Sequence, residues 1–310
     1  MTTTSLTPTS PLTSTAQERD RLLASFLLSL EAENRSPATA RLYEYAVRQL
    51  FRFLGDMGLG NVALSAITAE HLRHFLAVQR QAGKAPATVE SLHRGVRAFW
   101  KWLHAEGELR ENVATRVPRP AVPEKVVAVI TDAELMALRR TCQRDRSTLG
   151  LRDEALIVAL ADTGLRVSEL LSLTVEDIDR RERRALITGK GARQRVVCFE
   201  AKTMRLLDRY HRLAHVTEGA IFRNRSGEPL SSAGAYLMVR RRGQQVGIEG
   251  LHPHAFRHLC ATRLLGEGLN ESHIRTLLGW SKSSQMLSRY VASRSAELAL
   301  EARSRVRLIE

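Results

Sequence analysis

The sequence predicts a two-domain protein, mainly α-helical with one small β-sheet. Three observations carry that expectation. The chain has 310 residues, which suits two domains of ordinary size. Apolar residues recur at helical spacing through most of it, and only 184–188 and 195–199 read as strands, set around a glycine-rich turn. Hydrophobic residues make up 44% and charged residues 26%, which excludes disorder along the whole chain.

Residues 1–16 are Thr, Ser and Pro with little apolar content. They cannot bury enough surface to offset their ordering entropy, so a disordered tail is expected. From 17 to 107 the pattern is helical. Leu22, Leu23, Phe26, Leu27 and Leu30 form a first stripe. Ser36 before Pro37 reads as an N-cap with proline in the first turn. Leu42, Tyr45, Ala46, Leu50, Phe53 and Leu54 follow, closed by Gly55 and Gly58. A third helix is expected over 68–81, and a fourth from Pro86 carries Val89, Leu92, Val96, Phe99, Trp100 and Leu103. Four helices with short loops make a small bundle. Residues 108–125 hold Pro118, Pro120 and Pro123 among Arg116, Arg119 and Lys125, and read as an extended linker.

A second domain is expected over 126–303, with a short tail at 304–310. Thr131 and Glu134 make a capping box ahead of Leu135 and Leu138. A strongly apolar helix follows over 152–161. Its uninterrupted apolar run, 155–161, is the longest in the chain and far short of the roughly 20 residues that span a bilayer. The two strands then flank the turn Gly189-Lys190-Gly191-Ala192, and helices resume to the end. Ala296, Leu298, Leu300, Val306 and Leu308 give the last segment an apolar stripe.

Charge points to a polyanionic partner. Net charge is +14, and it is uneven: residues 17–110 carry +3 and residues 111–310 carry +11. The three cysteines are odd in number and widely spaced, so neither a disulfide framework nor a zinc site is expected, and a reducing cytoplasm is the simplest setting.

Four short motifs carry chemistry. In Thr163-Gly164-Leu165-Arg166, the arginine stands among apolar neighbours at a helix junction, where it needs an anion. Glu169, one turn on, can steady it; a plain Arg–Glu pair fits the same spacing. In Gly189-Lys190-Gly191, two glycines permit a tight turn with Lys190 at the tip, either solvated or reaching a ligand as a proton donor. In His254-Ala255-Phe256-Arg257-His258, a helix begun at Pro253 puts His254 and Arg257 on one face, a guanidinium beside an imidazole, suited to phosphate. A metal is not expected there, because Arg257 would repel it. In Leu278-Gly279-Trp280-Ser281, the indole N–H can donate to a phosphate oxygen, and Tyr290 follows as a candidate nucleophile. The run Arg240, Arg241, Arg242 can contact phosphate or form a solvated helix face.

As an ordered set these motifs resemble the tyrosine recombinase (phage integrase) family, in its Xer-like form, over nearly the whole chain. The resemblance implies a four-helix, SAM-like core-binding domain followed by an α+β catalytic domain. It implies site-specific cutting and rejoining of double-stranded DNA through a 3′-phosphotyrosyl intermediate, without metal, ATP or other cofactor. Arg166 and Arg257 would clamp the scissile phosphate, His254 would help move the nucleophile's proton, and Lys190 would protonate the leaving 5′ oxygen. Trp280 stands where many relatives have histidine, and Tyr290 would attack phosphorus. Glu169 and His258 would support. A homotetramer, or a heterotetramer with a second recombinase, would act on paired sites in the nucleoid. A non-catalytic DNA-binding relative and a type IB topoisomerase-like relaxase are the alternatives.

Overall fold

A computed structural model describes residues 16–123, 130–189 and 194–280. It divides into two compact units, 1–126 and 127–310. The molecule is mainly helical, with one three-stranded sheet among the described residues.

The first unit is a bundle of α1 (Ala16–Ala32), α2 (Pro37–Asp56), α3 (Ala69–Gln81) and α4 (Pro86–Ala105). Ser36 caps α2 through its side chain, which accepts from the Thr39 N–H. Thr68 caps α3 in a reciprocal box with His71. α2 and α4 approach closely, so that a Cβ on Gly95 would come within 2.6 Å of the Ala46 Cβ. Phe26, Phe75, Phe99 and Trp100 fill the interior. Residues 109–117, read above as linker, return to this core: Leu109, Ala114 and Val117 are buried in it. Arg116 and Arg119 pair with Glu111 and Glu90. Three apolar residues ahead of the first proline, Pro118, gain more by burial than by staying extended.

The second unit opens with α5 (Asp132–Arg144), entered through the Thr131–Glu134 capping box. Then come α6 (Thr148–Thr163) and the short α7 (Val167–Leu171). The sheet has order β1-β2-β3, all antiparallel: β1 (Ile178–Asp179), β2 (Arg184–Thr188) and β3 (Gln194–Cys198). Next are α8 (Ala201–Leu213), α9 (Ser232–Gln244), α10 (Pro253–Gly266) and α11 (Glu271–Leu278). The helix α6 is central. It packs on α5, α8 and α10, which is why its residues are buried nearly all round, the charged Arg152, Asp153 and Glu154 included. No described helix is long and apolar enough to cross a membrane.

Candidate active site

The site is built where α6 stops. Gly164 caps that helix in the left-handed region, at φ +60°. A Cβ there would lie 2.5 Å from a Leu278 methyl and 2.9 Å from the Cys260 sulfur. Only glycine both turns the chain and lets α10 and α11 close on it.

The turn delivers Arg166 as the N-cap of α7. Its backbone N–H donates to Glu169 Oε2 at 3.0 Å, and its Nη1 donates to Oε1 at 2.7 Å. The nearly buried Glu169 also receives a second guanidinium from β3. Arg195 Nη2 donates to Oε2 at 2.8 Å and Nη1 to Oε1 at 3.2 Å. Burial by itself would raise the Glu169 carboxyl, but hydrogen bonds from Arg195 and then Arg166 prevail and hold it at about 2.

Arg257 enters from α10, fully buried. Its Nη1 donates to the Gly164 carbonyl at 2.8 Å and its Nη2 to that of Leu278. Its Nε is buried and, among the described residues, has no hydrogen-bond partner. The Trp280 ring covers the guanidinium at 5.1 Å from its centroid. Burial and the nearby Arg166 lower Arg257 to about 9, which leaves it protonated at neutral pH. One turn earlier, burial and then Arg257 hold His254 below the usual imidazole range, so it is neutral there. His258 packs edge-on against it, ring centroids 4.6 Å apart, and is lowered by burial to about 4.

The structure thus gathers Arg166, Glu169, His254, Arg257, His258 and Trp280 around the ends of α6, α10 and α11. Lys190 and Tyr290 lie outside the described residues, although the strands flanking Lys190 pair in register, Thr188 opposite Gln194. Among the described residues no His, Cys, Asp and Glu cluster is arranged to hold a metal.

The arginine run on α9 needs correction. Arg242 does not present itself to a phosphate: it is buried, and its guanidinium binds Asp153 at 2.7 Å and Asp145 at 2.8 Å. Arg241 reaches Asp153 at 3.4 Å while staying exposed, and Arg240 is exposed. Consecutive helical positions point about 100° apart, so a run of three cannot share one face. Arg195 is the residue that sequence reading missed. Its partner lies 26 positions away, and the only signal was an arginine inside a strand whose neighbours are apolar.

Known proteins resemble this chain across both units. The phage integrase family model matches residues 128–297, and that of the phage integrase N-terminal SAM-like domain matches 23–107. Tyrosine recombinase XerC of Bacillus pumilus (strain SAFR-032) is 30% identical over 277 residues, covering 86% of this chain and 90% of the relative. Tyrosine recombinase XerC of Mycobacterium bovis (strain BCG / Pasteur 1173P2) is 34% identical over 257 residues, covering 80% and 85%. In fold, the chain is similar to the XerH site-specific recombinase bound to palindromic difH substrate, with TM-score 0.70, 20% identity and coverage of 93% of this chain and 84% of that one. It is also similar to a lambda integrase dimer bound to a core site, with TM-score 0.68, 20% identity and coverage of 87% and 76%. The chain belongs to the phage integrase family.

Proposed function

We propose that the protein is a site-specific DNA recombinase. It cuts and rejoins duplex DNA through a 3′-phosphotyrosyl link, with Tyr290 as nucleophile. The observation that carries this reading is the tie between two arginines: Arg257 grips the carbonyl of Gly164, two residues before Arg166, beside a neutral His254.

A phosphodiester resists attack because it is an anion, and transfer requires charge on its equatorial oxygens to be offset. Arg166 is partly exposed, and the buried Arg257 Nε, without a hydrogen-bond partner among the described residues, is a donor that an anion would satisfy. Two guanidiniums supply that charge without calling on a metal. A tyrosine hydroxyl, with a pKa near 10, needs a base or strong positive charge to attack at neutral pH. His254 is uncharged and able to take the proton, Lys190 gives one to the leaving 5′ oxygen, and Trp280 donates to phosphate. One phosphate ester replaces another, so the strand is resealed without ATP. Four protomers act on paired sites, identical or with a second recombinase, joined through the apolar stripe of 296–308. The free thiols of Cys142, Cys198 and Cys260 suit the cytoplasm.

A duplex nicked near the cleavage point tests this. The expected result is an SDS-resistant protein–DNA adduct, formed in EDTA and abolished by Tyr290→Phe. No adduct would leave a DNA-binding protein. An adduct with no exchange between two duplexes would leave a relaxase.

A further inference from the structure

We propose that Arg195 is a positioning residue of this site: it holds Glu169 from behind, so that Glu169 aims Arg166 without neutralising it. The inference rests on the recombinase reading above.

Charge is the first argument. One carboxylate stands between two guanidiniums, so the trio keeps one net positive charge. Were Arg166 the sole partner of Glu169, the pair would sum to zero, and little attraction would remain for a phosphate. Exposure says which cation is which. The Arg195 side chain is 12% exposed and that of Arg166 is 38%. Arg195 is the inner brace and Arg166 the outward face.

Geometry is the second argument. Arg195 meets Glu169 fork to fork, a two-point contact that fixes the carboxylate plane. Its Nε donates to the Leu277 carbonyl at 3.2 Å. A Cβ on Gly279 would lie 3.0 Å from its Nη1, so the chain passes directly over the guanidinium. Gly279 also sits at φ +61°. One side chain therefore ties together β3, α7 and the end of α11. Those segments lead from Lys190, to Arg166 and to Trp280, respectively. Lysine keeps the charge but cannot make the fork.

The test uses the full-length protein with Arg195→Gln and Arg195→Lys on the nicked duplex, in single turnover. Adduct formation by R195Q should fall on the order of 100-fold, with duplex affinity changed only a few-fold. R195K should lie between R195Q and the unaltered protein. The defect should shrink when the scissile phosphate is replaced by a neutral methylphosphonate, because less charge must then be offset. An unchanged R195Q rate overturns the proposal. So does a defect of equal size on both substrates, which marks a role in folding alone. If R195Q does not fold, the ratio of R195K to the unaltered protein on the two substrates decides in the same way. Absence of any adduct from the unaltered protein overturns the recombinase reading itself, which separates that failure from this one.

Discussion

Two of the shifted side chains of the site, His258 and Glu169, both lose stability on acidification, each in its own pH window. His258 is lowered to about 4 by burial, with His254 adding to the effect. The unfolded chain takes up this proton near pH 6.5 and the folded one does not, so stability is lost as pH falls from about 6.5 to 4. The loss is on the order of 3 kcal/mol by about pH 4. Glu169, held at about 2, keeps its contribution down to the unfolded carboxylate range near 4.5 and loses it only below. The two windows barely overlap. Urea midpoints measured from pH 7 to 5 should therefore fall, and should fall less in His258→Gln, with Glu169→Gln leaving that limb unchanged. An acid limb of undiminished size in His258→Gln would assign it to another group, His254 first.

At the scale of elements, the caps decide where side chains arrive. Gly164 and Gly268 both sit at positive φ, at +60° and +85°. Only the first is crowded; a Cβ on Gly268 meets nothing within 4 Å. Gly268→Ala should cost about 1 kcal/mol, the left-handed penalty alone. Gly164→Ala adds a clash with Leu278 and Cys260 and should cost about 3 kcal/mol. Thermal unfolding of the two variants checks the difference; equal losses would mean that α11 yields freely. The same scale shows what was legible in the sequence. Ser36, the Thr131–Glu134 box, Pro253 and the stop at Gly164 are local signals, and each falls where its spacing placed it. β1 is two residues long and offers no period to read. The packing of Leu109 and Val117, and the reach of Arg195 to Glu169 and Leu277, depend on chain distant in sequence, which no window reports.

For the whole molecule, the net charge of +14 is the property that meets DNA, and its excess lies in residues 111–310. Not every arginine contributes to that field. Arg242 is locked on Asp153 and Asp145, and Asp153 also takes Arg152, at 2.6 Å, so these charges largely cancel inside the fold. Each phosphate neutralised by an exposed cation should add about −0.9 to the slope of log affinity against log salt. Arg240→Ala should therefore flatten that slope by about 1 and leave stability nearly unchanged. Arg242→Ala should do the reverse. It leaves Asp153 short of a partner at 0% exposure, which costs about 3 kcal/mol, and the slope stays as it was. Binding titrations across a salt series, run beside urea unfolding, separate the two roles. A flattened slope in Arg242→Ala at full stability would mean that the pair opens on DNA, and that Asp153 holds the arginine in reserve instead of fixing the fold.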